Sequence, residues 1–202
     1  MTFIMRPENE GDYAEVEGLT REAFWDIYHP GCDEHLLVHK LRKTSSYIPE
    51  LDFVAVQDNR IVGNIIYSRA KIVDSEDIAH EVITFGPISV LPSLQKKGIG
   101  SALIEHTKKL AENMGFKAII LFGNPGYYHR FCFKSAGKFG ISTADGSNFE
   151  EFMAMELYAG ALQGIAGRFY EDAVFHVDKK ELEVFEKKFP YKEKHVTDTQ
   201  LK

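Results

Sequence analysis

The chain of 202 residues has little cysteine, no strong charge of one sign and no long apolar run. Cys32 and Cys132 are its only cysteines. That excludes a disulfide framework, and a reducing cytoplasm fits best. Net charge is −6, so the bulk surface invites neither nucleic acid nor an anionic membrane. No uninterrupted apolar stretch approaches the length that spans a bilayer. The first residues, Met1 to Pro7, lack the apolar core of a signal peptide. There is no internal repeat and no low-complexity tract. What is present is 44% apolar residues, enough for one sizeable core.

Periodicity divides the chain into short elements. Phe3 to Met5 reads as a strand stopped by Pro7. Gly11 to Phe24 reads as a helix with Tyr13, Val16, Leu19 and Ala23 on one face. His29-Pro30-Gly31 breaks it, and Asp33 is the expected N-cap of a second helix through Arg42. Phe53 to Gln57, the turn Asp58-Asn59-Arg60 and Ile61 to Val73 form a hairpin. Gly63 in its long strand marks a place where a neighbour needs room.

Ile83 to Val90 is the next strand, with a bulge expected at Gly86-Pro87. The helix Gly98 to Met114 sets Ile99, Leu103, His106, Leu110 and Met114 along one stripe and ends at Gly115. Ala118 to Phe122 is wholly apolar, as a strand buried on both faces should be. Strand, helix and strand make a crossover unit, so the two strands should be parallel neighbours. Beyond them, Tyr127 to Phe131 reads as a helical turn, and Phe139 to Ile141, Phe149 to Leu157 and Phe169 to Val177 as strands. Asp178 and Glu181 have capping-box spacing before a last helix, and Lys194 to Lys202 reads as a frayed tail.

The most informative stretch joins the strand at Val90 to the helix at Gly98. Gln95-Lys96-Lys97-Gly98-Ile99-Gly100-Ser101 puts two lysines, two glycines and a serine at a helix N-terminus. Backbone N–H groups there carry partial positive charge, and glycine lets an anion approach the main chain. The stretch reads as a pyrophosphate cradle. It lacks the following lysine of a P-loop and has Leu103 where a dinucleotide fingerprint needs its third glycine.

The string Gln95 to Gly100 matches the Gln/Arg-x-x-Gly-x-Gly/Ala signature of the GNAT acetyltransferases. Gly86 to Pro92 looks like that family's strand before the loop. Gly123-Asn124-Pro125 and Tyr128-His129-Arg130-Phe131-Cys132-Phe133 look like its Tyr-x-x-x-Gly-Phe region, with Cys132 where glycine is usual. Phe152 to Leu157 also fits. Together these segments resemble the YhbS-like branch of the GNAT superfamily of N-acetyltransferases.

The resemblance implies an α/β fold: a central mixed sheet, splayed between two parallel strands and flanked by helices. Residues 1–160 would form the acetyltransferase domain and 161–202 a C-terminal extension that covers the sheet or pairs subunits in a homodimer. It implies acetyl-CoA as co-substrate and no metal. The pantetheine arm would bond the strand backbone at Ile88, Ser89 and Val90, with Asn124 and Tyr127 beside it. The pyrophosphate would meet Gln95, Lys96, Lys97, Gly98, Ile99, Gly100 and Ser101.

The implied reaction is acetyl transfer to a primary amine of a small molecule, peptide or protein by direct attack on the thioester. Tyr128 takes the position of the acid at sulfur, since a phenol with a pKa of about 10 stays protonated at neutral pH. Glu81 is the candidate base, with Thr84 or a water relaying the proton and His80 as another candidate. The rival expectation is a non-catalytic acyl-CoA-binding or regulatory module on the same fold.

His29, Cys32, His35 and His39 raise a metal reading, because His35 and His39 lie one helical turn apart. The His-Glu-x-x-His order is absent and only one cysteine is near. The segment reads instead as a substrate-side flap, with Trp25 and Tyr28 lining an acceptor pocket.

Overall fold

A computed structural model describes residues 2–198 and Gln200. The strands are β1 (Ile4–Pro7), β2 (Phe53–Gln57), β3 (Arg60–Val73), β4 (Ala79–Val90), β5 (Ala118–Phe122), β6 (Lys134–Ser135), β7 (Ile141–Ser142), β8 (Phe152–Glu156) and β9 (Gly167–Tyr170). The helices are α1 (Tyr13–Phe24), α2 (Glu34–Leu41), α3 (Ile99–Asn113), α4 (Pro125–Tyr128) and α5 (Lys179–Glu186). Among the described residues no helix is long and apolar enough to cross a membrane. The chain divides into two compact units, the first made of residues up to Ile66, Gly86–Ile104 and those from Ala173 onward, the second of Tyr67–Phe85 and Glu105–Asp172.

In the first unit β1 pairs antiparallel with β2, and β2 with the start of β3. Asp58 and Asn59 join β2 to β3 with φ of 49° and 58°, the left-handed pair a tight two-residue hairpin requires. Helices α1 and α2 cover these strands through Val16, Leu19, Leu37, Val38 and Leu41 against Val54, Ile61 and Ile66. Each fully buried aliphatic side chain here contributes roughly 1.5–3 kcal/mol. Helix α2 stops one residue before Arg42, and Asp33 sits at its N-cap without a side-chain cap bond. The Glu34 carboxylate accepts the Asp33 N–H instead.

Gly63 meets its expected close approach: a Cβ there would stand 2.9 Å from Ile99 Cγ2. Helix α5 is capped as its spacing predicts, the Asp178 carboxylate accepting the N–H groups of Lys180 and Glu181. The expected frayed tail is tied down where it is described. The His195 N–H donates to Asp26 Oδ2 at 3.1 Å, and Gln200 Nε2 donates to the Asp26 carbonyl. Thr199, Leu201 and Lys202 of that expectation lie outside the described residues.

The second unit holds a mixed sheet. Strands β4 and β5 are parallel, with Ile83 opposite Ile119, as the crossover argument requires. β5 is antiparallel to β8 from Ala118↔Glu156 to Phe122↔Phe152, and β6 lies on the other side of β8. β9 pairs parallel with β7 and antiparallel with β3. Three expectations are corrected. Ala136–Phe139 is a 3-10 turn, and Gly140 closes it at φ 73°, so only Ile141–Ser142 is strand. The last strand ends at Tyr170, and Ala173–Phe175 form a second 3-10 turn. Helix α3 buries Thr107 and Ala111 and leaves Met114 at 42% exposure. Ile99 and Leu103 of the expected stripe are buried, Thr107 Oγ1 lies 2.9 Å from the hydroxyl of wholly buried Tyr67, and Met114 stands just past the helix end at Asn113.

Candidate active site

In the first unit β4 leads to a 3-10 turn, Pro92–Leu94, and then to α3. Gln95 folds back and its Nε2 donates to the Val90 carbonyl at 3.2 Å. Lys97 Nζ donates to the Ser93 carbonyl at 2.9 Å. Lys96 and Gly98 take φ of 60° and 90°. The left-handed region costs a lysine roughly 1–2 kcal/mol, a strain of the kind held at binding turns. A Cβ on Gly98 would meet nothing within 4 Å, so glycine serves the backbone angle there.

The Ala102 N–H donates to the Gly98 carbonyl, so the N–H groups of Ile99, Gly100 and Ser101 precede the hydrogen-bond ladder of α3. Those three donors, the helix dipole and two lysines suit a pyrophosphate. On β4, Ser89 Oγ donates to Thr20 Oγ1 at 2.9 Å, both side chains being wholly buried. The Ser89 hydroxyl is therefore committed to α1. Ile88 and Val90 alternate with it and stay partly exposed.

In the second unit the segment after β5 builds a corner around Tyr128. The Gly123 N–H donates to the Glu151 carbonyl at 2.8 Å. A Cβ on Gly123 would stand 2.2 Å from Tyr128 Cε2, so the ring occupies the space a side chain would need. Asn124 caps α4: its Oδ1 accepts the Gly126 N–H, and its carbonyl accepts those of Tyr127 and Tyr128. Tyr128 is 8% exposed, with ring centroids of Phe133 at 5.6 Å and Phe85 at 5.9 Å. Tyr127 stands edge-on to it and carries the Arg130 guanidinium over its own face at 4.6 Å. Cys132 has φ 73° and ψ 13°. The usual glycine is replaced, yet the left-handed turn that glycine favours is kept.

The other candidates are spread over both units. Glu81 is exposed, its carboxylate 2.5 Å from Arg69 Nη1, while Thr84 on the same strand is 2% exposed. His80 faces the Asp74 carboxylate at 2.7 Å. In the first unit Trp25 is 8% exposed, lies under the Arg21 guanidinium at 4.2 Å, and its indole N–H donates to the Glu193 carbonyl. Tyr28 is 47% exposed beside Phe24.

His35 is wholly buried, with Nδ1 3.4 Å from Cys32 Sγ. Its Nε2 is 2.9 Å from Glu186 Oε2, an ion-pair distance without hydrogen-bond alignment. Burial holds the His35 pKa below its ordinary value and pushes the Cys32 thiol far up, which makes that thiol inert. Among the described residues no three His, Cys, Asp or Glu side chains are arranged to hold a metal ion. The sequence reading passed over Gly123, although a glycine before Asn-Pro was its signal.

Residues 18–131 match the model of the acetyltransferase (GNAT) family, more than half of the chain. The chain belongs to the GNAT family of acetyltransferases. This acetyltransferase is 24% identical over 166 residues to the uncharacterized N-acetyltransferase YhbS of Escherichia coli K12, covering 82% of this chain and 93% of YhbS. It is 30% identical over 132 residues to the uncharacterized N-acetyltransferase YjhQ of the same strain, covering 65% and 70%. These relatives put it in the YhbS-like branch. The crystal structure of YhbS in complex with CoA superposes with a TM-score of 0.77 at 22% identity, covering 87% of this chain and 92% of that one. A GNAT acetyltransferase from Brucella melitensis, solved with acetyl-CoA, superposes at 0.69 with 26% identity, covering 86% and 98%. The mixed sheet flanked by helices is the GNAT fold.

Proposed function

We propose that this enzyme transfers an acetyl group from acetyl-CoA to a primary amine, through residues 1–160, with 161–202 as an extension. The observation that carries the reading is the start of α3, where the N–H groups of Ile99, Gly100 and Ser101 and the left-handed turn at Gly98 offer a dianion what it needs. The CoA and acetyl-CoA complexes of the two solved relatives support the same ligand here. In this reading Gln95 and Lys96 to Ser101 take the pyrophosphate. The backbone of Ile88, Ser89 and Val90 binds the amide-rich arm, with Asn124 and Tyr127 beside it.

Acetyl-CoA supplies the activated acyl group when bound. The Ile88 N–H then stabilises charge gathering on the acyl oxygen. Tyr128, a neutral phenol packed in an aromatic corner, gives its proton to the departing sulfur. Glu81, paired with Arg69, takes the ammonium proton through water near Thr84. Trp25 and Tyr28 line the acceptor side.

Calorimetry with CoA and with ATP, beside transfer assays over an amine panel, tests the reading. CoA should bind and ATP should not, and Tyr128→Phe should lower kcat about 100-fold with CoA affinity unchanged. CoA binding without transfer to any amine would favour a non-catalytic acyl-CoA module. Tight ATP binding without CoA would sink the reading. A Tyr128→Phe rate equal to wild type at every pH would remove the acid role.

A further inference from the structure

The first unit holds a cavity of about 390 Å³ that the proposed chemistry does not use. That is the size of a small-molecule site. Three parts of the unit enclose it: one face of α1, the start of β3 with Leu91 just past β4, and residues 189–192 after α5. Leu19 and Ile61 are buried, and with Leu91, Phe189 and Pro190 they give it apolar walls. Gly18 lines it from the middle of α1. Glycine weakens a helix interior relative to alanine, so its place there asks for a cause. Its φ is not positive, and no backbone angle requires glycine. A Cβ on Gly18 would meet nothing within 4 Å, and no neighbour excludes a side chain. What the missing side chain leaves is open cavity.

The charged groups around the cavity are committed, with one exception. The Glu15 carboxylate accepts the Ile61 N–H at 2.8 Å. Glu22 holds Lys192 Nζ at 2.6 Å, and Arg21 holds Glu186. The Arg60 guanidinium, which also lines the cavity, has no hydrogen bond, ion pair or ring contact among the described residues. A guanidinium presents its N–H donors as a planar fork that fits a carboxylate through two parallel bonds. Glu15 and Glu22 stand in the same lining and repel a second negative charge. The space therefore suits one carboxylate better than a phosphate dianion, and its walls suit an apolar body.

We propose that this cavity binds a small monocarboxylate with an apolar body. Its carboxylate takes the Arg60 fork, and its body lies beside Gly18 against Leu19, Ile61 and Phe189. None of residues 95–101 lines the cavity, so the site is separate from the turn before α3 and goes beyond the acetyltransferase reading. An occupant touches both α1 and residues 189–192, and so ties the C-terminal segment to the helix.

The test uses the full chain as wild type, Arg60→Gln and Gly18→Leu, with phenylacetate, phenylacetamide and 2-phenylethylamine as probes. Binding is followed by NMR titration, and folding by thermal melts. We expect phenylacetate to bind with a Kd of about 1 mM or tighter, at least tenfold tighter than the amide or the amine. Arg60→Gln, a change at an exposed side chain, should remove that preference. Gly18→Leu fills the space and should weaken phenylacetate at least tenfold. It should not lower the melting temperature, because leucine favours a helix over glycine. Saturating CoA should leave phenylacetate bound. Absent phenylacetate binding, an amide bound as tightly as the acid, or an affinity unmoved in either variant overturns the site. A lower melting temperature in Gly18→Leu also overturns it, since the space would then be closed by packing. Displacement of phenylacetate by CoA would put the acid at the turn before α3 and overturn the cavity site as well.

Discussion

The two units are held by different forces. In the first, ionisable side chains are buried in hydrogen-bonded contact. Arg42 grips Glu8 through two bonds of 2.6 and 2.9 Å, with both side chains almost fully buried. The Glu8 carboxyl also hydrogen-bonds that of Asp52, which accepts from Tyr47 and Asn64. Arg21 reaches Glu186 of α5 through Nε and Nη2, stacked between Trp25 and Phe189. In the second unit aromatic rings do this work: Tyr67, Phe85, Tyr128 and Phe133 pack edge-on or tilted, and Phe122, Phe149, Phe152 and Phe169 form a second group. Ion pairs fix geometry but leave stability tied to protonation, whereas rings fix geometry by shape. The candidate groups follow the same division. The turn at Gly98 acts through backbone dipoles, and the corner at Gly123 acts through the fit of one ring.

This contrast is sharpest where one partner of an ion pair is removed. Glu186→Ala leaves the Arg21 guanidinium buried without its carboxylate, and should destabilise the protein by about 3 kcal/mol. Urea denaturation checks it, and a loss no larger than that of an exposed pair such as Arg69–Glu81 would erase the distinction between the units. The matching break in the aromatic unit is Gly123→Ala, whose Cβ would displace the Tyr128 ring. Transfer should fall about 100-fold, the scale of a 1 Å misplacement, with CoA affinity little changed.

The pH dependence separates the units next. Burial and the neighbouring Asp52 push the Glu8 pKa up to about 9. The folded state therefore holds a proton that the unfolded chain has lost above about 4.5. Stability should decline as pH rises from about 5 to 9, by at most about 1.4 kcal/mol per pH unit. Chemical denaturation across that range measures it, and Glu8→Gln should flatten the curve. The smallest effect belongs to Cys132. Glycine there relieves a left-handed residue but gains chain entropy on unfolding. Cys132→Gly should therefore stabilise by only about 0.5 kcal/mol in thermal melts, with the Tyr128 corner unchanged.

Several features were legible because they depend on neighbours along the chain. The turn before α3 is one: Gly98, Gly100 and two lysines at a helix start specify backbone dipoles by spacing alone. Parallel β4 and β5 followed from strand, helix and strand in order, and the hairpin from the turn residues Asp58-Asn59-Arg60 between two apolar runs. Misreadings came where contact overrode periodicity. The stripe expected on α3 included Met114, but the helix ends at Asn113 and leaves that side chain exposed. Phe139 looked like strand until Gly140 closed a 3-10 turn around it. Trp25, expected on the acceptor side, also ties its indole N–H to the Glu193 carbonyl, a contact no spacing records. That partner lies 168 residues away in the sequence.

The sequence by itself determined the family, the crossover and the glycine turn at the start of α3, since each is written in local residue order. Only the tertiary structure decided that the Tyr128 ring fills the space beside Gly123, that burial raises the pKa of the Glu8 carboxyl, and that Phe122 stacks with Phe149 and Phe152. Burial, ring packing and carboxyl protonation are set by residues distant in the chain, and spacing carries no record of them.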